Sequence, residues 1–193
     1  MKSGKKSRFI HWGKFCIFVL LFIFISGTGH TQSKYPYWSL SALGGATIPV
    51  GNFSEVYDVG GNVGGDVAFH IVPSWSVVGN VTYNFLKEKI SGSILDESSY
   101  LEVTIGVRRY YVLKSVKAFG ETEIGLYRYH VGGSTTTSTL TENDFGLNVG
   151  AGIEIPLSNA VDITGKLKYH AILNSGSTAY LGFYGGINVH ISK

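Results

Sequence analysis

The sequence predicts an all-β chain, eight antiparallel strands closing into an up-and-down transmembrane β-barrel, on three observations. Apolar and polar residues alternate with period two over segments of about 11–14 residues, at or above the 9–11 that a tilted strand needs to cross a bilayer. The connections between these segments alternate long and short. Composition is the third: 26 glycines, 13% aromatic and only 15% charged residues, against about 25% charged in soluble chains. A sheet whose outer surface is mostly not water would have this make-up.

Residues 1–31 are expected to be a cleaved signal peptide, leaving residues 32–193 as one barrel domain. Lys2, Lys5, Lys6, Arg8 and Lys14 precede an apolar run over 15–25, and small and polar residues follow it. That order is the signature of a secretory signal. The eleven apolar residues would span about 16 Å as a helix, too short for a hydrocarbon core of about 30 Å. Cleavage is expected within 27–32. The single cysteine, Cys16, lies in this segment, so a processed chain has no thiol for disulfides, catalysis or metal binding. The five basic residues also supply most of the net charge of +3. The remainder is near neutral and carries no basic footprint for nucleic acid.

The strands follow in order, with no helical periodicity after Gln32. The first covers about 37–48, with Trp38, Leu40, Ala42, Ala46 and Ile48 on one face. The second, about 61–71, sets Val63, Val67, Phe69 and Ile71 against Asn62, Asp66 and His70. A tight "VPSW" turn leads to the third, about 75–86. The polar loop 87–99 precedes the fourth, about 100–112, where Leu101, Val103, Ile105 and Val107 oppose Glu102, Thr104 and Arg108. A short turn gives the fifth, about 117–130, and the Ser/Thr-rich loop 131–143 leads to the sixth, about 144–155. "PLSNA" introduces the seventh, about 161–173, and "NSGS" the eighth, 179–192. An outer-membrane barrel has this asymmetry, with short periplasmic turns and longer outer loops. An even strand number then leaves both ends periplasmic.

Charge decides which face meets lipid. A Lys or Arg facing mid-bilayer costs about 2–4 kcal/mol, so the faces with Asp66, Glu102, Arg108, Glu121, Glu123, Glu154, Lys166 and Lys168 must turn inward. Arg109 and Arg128 fall in the outward register near strand ends, where they can snorkel to interfaces. Two levels of aromatic residues support the same reading: Tyr37, Trp38, Trp75, Tyr111 and Phe119 near the short turns, and Tyr83, Phe85, Tyr100, Phe145 and Phe183 toward the long loops.

An eight-stranded barrel has room inside for side chains or one small ligand. Glu102, Arg108, Glu121, Glu123, Glu154, Lys166 and Lys168 are therefore expected to form a paired network that fills the lumen, because a lone buried charge costs several kcal/mol. Counting back from the turn at 114–115 sets Arg108 opposite Glu121. A narrow pore for ions or small solutes is the alternative for the same residues. A soluble, exported lipocalin-like carrier is a further one, with the apolar face inward.

No catalytic, cofactor or metal site is assigned. His70, His170 and His190 face inward. Across the first strand, His70 and His190 are expected about 10 Å apart, too far to share a metal. "VHIS" places His190 two residues before Ser192, with no acid partner identifiable from sequence. "GGNVGGD" and "GLNVGAG" lie within strands and open no helix, so they do not match a dinucleotide-binding turn.

The stretch "GGATIPVGNFS" (44–54), a glycine-paired first strand running into Pro-x-Gly, resembles the start of the outer membrane protein β-barrel superfamily. That superfamily includes the small OmpA/OmpX-type and opacity-type barrels of Gram-negative bacteria. As architecture the resemblance extends over the whole mature chain; as motif it extends over this stretch and the last strand. It implies residence in the outer membrane as a monomer, among lipid and lipopolysaccharide, after insertion by the barrel machinery. It also implies a role in envelope integrity, in adhesion or evasion through exposed loops, or in small-solute passage. A non-enzymatic structural or surface role is the leading expectation, with the long, polar loops 87–99 and 131–143 as contact surfaces for an extracellular ligand or host surface. One departure is the ending Ile191-Ser192-Lys193, where such barrels usually end in an aromatic residue.

Overall fold

β-branched and aromatic residues at alternate positions favour extended backbone. With few prolines to interrupt it, the described chain from Tyr37 onward is mostly extended. The computed structural model describes residues 35–89, 97–132, 140–173 and 178–191. The expected signal segment with Cys16, and the terminal Ser192 and Lys193, lie outside the described residues. Eight strands form: β1 (Tyr37–Val50), β2 (Tyr57–Val72), β3 (Trp75–Glu88), β4 (Glu97–Leu113), β5 (Val116–Gly132), β6 (Leu140–Pro156), β7 (Val161–Ile172) and β8 (Ala179–Ile191). Each pairs antiparallel with the next, and β8 pairs back onto β1, closing the barrel. The closing seam runs from Trp38 opposite Ile191 to Val50 opposite Ala179.

Several strands are longer than the alternation alone predicts. β4 and β5 stay paired from Glu97 opposite Gly132 down to Leu113 opposite Val116. β6 begins at Leu140 and β2 at Tyr57. The expected loops 87–99 and 131–143 are thus partly ladder. Backbone hydrogen bonding continues there through polar sequence that shows no face, and the central parts of both loops lie outside the described residues.

A second difference is a single helical turn, α1 (Phe53–Val56), between β1 and β2. Gly51 takes a φ of +63° at its entry, a left-handed value that favours glycine. The amides of Ser54 and Glu55 donate to the carbonyls of Gly51 and Asn52. One turn is too short for a periodicity signal, so the sequence reading passes over it. Among the described residues no helix is long and apolar enough to cross a membrane.

The strand ends sort by rim. Turns 73–74, 114–115 and 157–160 close one rim; β1, β3, β5 and β7 end, and β2, β4, β6 and β8 begin, at the other. Around the outside, Val63, Val81, Ile105, Ile124, Leu126, Phe145 and Ile187 are all more than half exposed. The inward register holds Asp66, Glu102, Arg108, Glu121, Lys166 and Lys168, all buried. That polarity is the inverse of a lipocalin-like carrier, which would bury the apolar face.

Candidate functional site

The lumen is built from the inward register of all eight strands, in layers. Nearest the short turns, Tyr37 stacks on His70 with ring centroids 4.3 Å apart. His70 Nε2 is 2.9 Å from Ser39 Oγ. Asp162 Oδ2 lies 2.8 Å from His190 Nε2 and 3.2 Å from the Lys117 ammonium. The rings of His70 and His190 come within 6.3 Å, closer than the expected 10 Å. The inward side chains of a narrow barrel converge on its axis, whereas the expectation counted only strand spacing. Asp162 is also the acid partner for His190 that the sequence did not disclose. Among the described residues no group of three or more His, Cys, Asp or Glu is placed to hold a metal ion.

Above this layer, Arg108 organises a cluster drawn from six strands, β2 to β7. The ladder sets it directly opposite Glu121, and its guanidinium lies 2.6 Å from both Asp66 and Glu121. Glu154 is 3.7 Å away and accepts a hydrogen bond from the Tyr110 hydroxyl at 3.1 Å. Lys166 reaches across from β7 to Asp66 on β2 at 2.7 Å, with Glu121 at 3.4 Å. Asn80 donates to the remaining oxygen of Asp66 at 2.7 Å. The guanidinium packs over Phe119, 4.4 Å from the ring centroid.

A second cluster surrounds Lys168, nearer the long loops. Its ammonium is 2.8 Å from Glu123 and 3.6 Å from Glu102. Glu123 also accepts from the Thr104 hydroxyl and from Asn148. Tyr180 donates to Glu102 at 3.0 Å and stacks on His170, ring centroids 4.3 Å apart. His170 touches two further hydroxyls, Tyr127 at 3.1 Å and Tyr184 at 3.2 Å. Across the two clusters five carboxylates share three cations, Arg108, Lys166 and Lys168, so each cation serves at least two acids.

An aromatic cap lies over this cluster. Phe53 of α1 turns into the barrel mouth and packs against Tyr57 and Tyr100, at 4.7 and 5.9 Å between ring centroids. Leu86, Tyr127, Ile172 and Tyr180 complete the cluster. The hydroxyls of Tyr57 and Tyr129 bond to each other and lie within reach of Ser98. Three rings grouped by sequence with the interfacial aromatics, Tyr37, Tyr100 and Phe119, therefore point inward. Their alternation with Trp38, Leu101 and Ala118 already required it.

All seven charged residues singled out from the sequence lie buried in these two clusters. Asp66, which bonds to both Arg108 and Lys166, was not among them, although it stands in the same inward register. Its central place follows from contacts across the lumen, which strand alternation does not encode. Arg109 and Arg128 take the outward register; Arg109 lies between Trp75 and Tyr111, 5.2 Å from each ring centroid.

A closed ring of eight antiparallel strands, charged within and apolar without, decides the architecture. The fold is that of the small outer-membrane barrels. Neisserial surface protein A superposes with a TM-score of 0.61 at 15% identity, over 79% of this chain and 96% of that one. The outer membrane protein OprG of Pseudomonas aeruginosa gives 0.57 at 12% identity, over 83% and 98%. Ail, the attachment invasion locus protein of Yersinia pestis, gives 0.53 at 14% identity, over 81% and 97%. No protein family profile matches the chain, and no curated protein does. At these identities the likeness is one of fold, and this chain's own side chains must carry any argument about the barrel's role.

Proposed function

We propose that the chain is an integral protein of a Gram-negative outer membrane, exported by the signal peptide at 1–31, cut within 27–32, and inserted as a monomer by the barrel machinery. It acts without catalysis, as a structural and surface-interaction protein. Lipid and lipopolysaccharide surround the apolar outer face, the short turns face the periplasm, and the long-loop end faces outward. Residues 87–99 and 131–143 are the contact surfaces for an extracellular ligand or host surface. Ail, of the same fold, is known in complex with the heparin analogue sucrose octasulfate, which supports reading a barrel of this kind as a binding protein.

The observation that carries the non-pore reading is the pair of ionic clusters beneath the Phe53 cap. Lys166 and Arg108 tie Asp66 of β2 to strands on the other side of the lumen. Arg108 of β4 holds Glu121 from the neighbouring strand and Glu154 from two strands away, and Lys168 of β7 holds Glu123 and Glu102 from two and three strands away. A buried ion holds its place only when its partners are fixed, so this network acts as a plug. Conductance of the purified protein in planar bilayers tests it. No large, steady openings are expected; such openings, at a level unchanged by Arg108→Met, would establish the narrow pore instead.

A further inference from the structure

High on the outer wall, between β2, β3 and β4, lies a cavity of about 280 Å³ lined by Gly61, Tyr83, Phe85, Lys87 and Ser99 among others. It lies where β2 slips in register against β3 between Asp58 and Gly61, and Gly61 presents no side chain to it. A Cβ at Gly61 would meet nothing closer than Gly45 O at 3.8 Å and the Phe85 ring at 4.0 Å. The barrel's own packing therefore leaves this space open.

Three kinds of chemistry meet there. Tyr83 and Phe85 stand edge to face, ring centroids 4.8 Å apart, and both are exposed on the outer surface. The Tyr83 hydroxyl donates to Ser99 Oγ at 2.8 Å, which fixes the ring. Lys87 lies just above on the same face. Its neighbour across the ladder, Asp58, is 3.8 Å from Lys89, and Lys87 has no ion pair among the described residues. The ladder also carries Tyr83 through Leu101 to Arg128, an exposed outward cation two strand spacings away, about 10 Å. Exposed rings suit hydrocarbon, and a cation above them suits an anionic group at the membrane surface. A purely apolar ligand would leave Lys87 unused, and a soluble anion would leave the rings unused.

We infer that this cavity binds a phosphorylated glycolipid of the outer leaflet, its phosphate on Lys87 and its first acyl segment along Tyr83 and Phe85. The inference rests on the orientation proposed above, in which the long-loop end is the outer surface. Native mass spectrometry of the refolded full barrel tests it, with bisphosphorylated lipid A, its dephosphorylated form and phosphatidylglycerol as separate probes. The phosphorylated glycolipid is expected to be retained about tenfold better than the dephosphorylated form, the effect of one charge-assisted hydrogen bond. Lys87→Gln is expected to abolish that preference. Gly61→Leu, which fills the cavity, is expected to reduce retention of all three probes.

Heat-modifiable gel mobility confirms that each variant is folded. Should Gly61→Leu not fold, Phe85→Ala reads the same wall and is expected to lose retention likewise. Wild-type retention in the folded variants overturns the inference, as does equal retention of the dephosphorylated form or of phosphatidylglycerol. A protein that stays with membranes through carbonate extraction yet fails these tests loses this site and keeps the proposed membrane location.

Discussion

Gly106 and Gly185 sit in the same wall under opposite constraints. Gly106 takes the inward register of β4; a Cβ there would fall 1.9 Å from the Thr122 carbonyl oxygen. Gly185 faces outward on β8, and a Cβ there would meet nothing within 4 Å. The contrast holds for the two faces generally. Inside, strands curl tightly around interlocked ions, and each position is set by a partner across the lumen. Outside, Val, Ile and Leu stand side by side with little to fix their identity beyond being apolar. The inner face is therefore sensitive to the shape and charge of each residue, and the outer face to polarity alone.

The largest break in that contrast is expected from Arg108→Met. It strips Asp66 and Glu121 of their shared guanidinium and leaves Lys166 as the remaining cation close to both. Removing one partner of a buried ion cluster costs about 3–5 kcal/mol. Urea unfolding in lipid vesicles should register a loss of that size. Combining it with Glu121→Gln should recover part of the loss, since one stranded carboxylate is removed with its partner.

Next in size is a charge placed on the other face. Ile105 lies at the middle of β4, 59% exposed and opposite Ile124. Ile105→Arg should cost about 2–4 kcal/mol in vesicles if that face meets hydrocarbon; a face in water would tolerate it with little change. The glycine pair gives a smaller difference. Gly106→Ala should lose about 1–3 kcal/mol through overpacking, while Gly185→Ala stays within about 0.5 kcal/mol of the parent. The smallest effect belongs to the turn between β4 and β5. Lys114 holds a φ of 55° there, so Lys114→Gly should gain about 1 kcal/mol by relieving a left-handed non-glycine residue.

The fold was legible because alternation over a dozen residues leaves few alternatives, and because Glu121 and Glu123 force the facing even in β5, where the apolar face is weak. The opposition of Arg108 and Glu121 followed from counting along one hairpin. Contacts that skip strands were not legible in the same way. Asp66 on β2 meets Lys166 on β7 a hundred positions away, and Glu102 on β4 meets Lys168 on β7. Such pairs depend on barrel closure and on the lean of long side chains toward the axis. α1 escaped for a different reason: its role rests on one residue, Phe53, whose burial depends on the tyrosines that surround it.

The central claim is that the apolar outer face meets lipid while the charged face fills the lumen. Carbonate extraction of membranes from cells expressing the full chain tests it most directly, with heat-modifiable mobility read on the same samples. The account predicts that the protein remains in the membrane pellet, dissolves only with detergent and migrates differently before and after boiling. Release into the carbonate supernatant as a folded, detergent-free protein would contradict it.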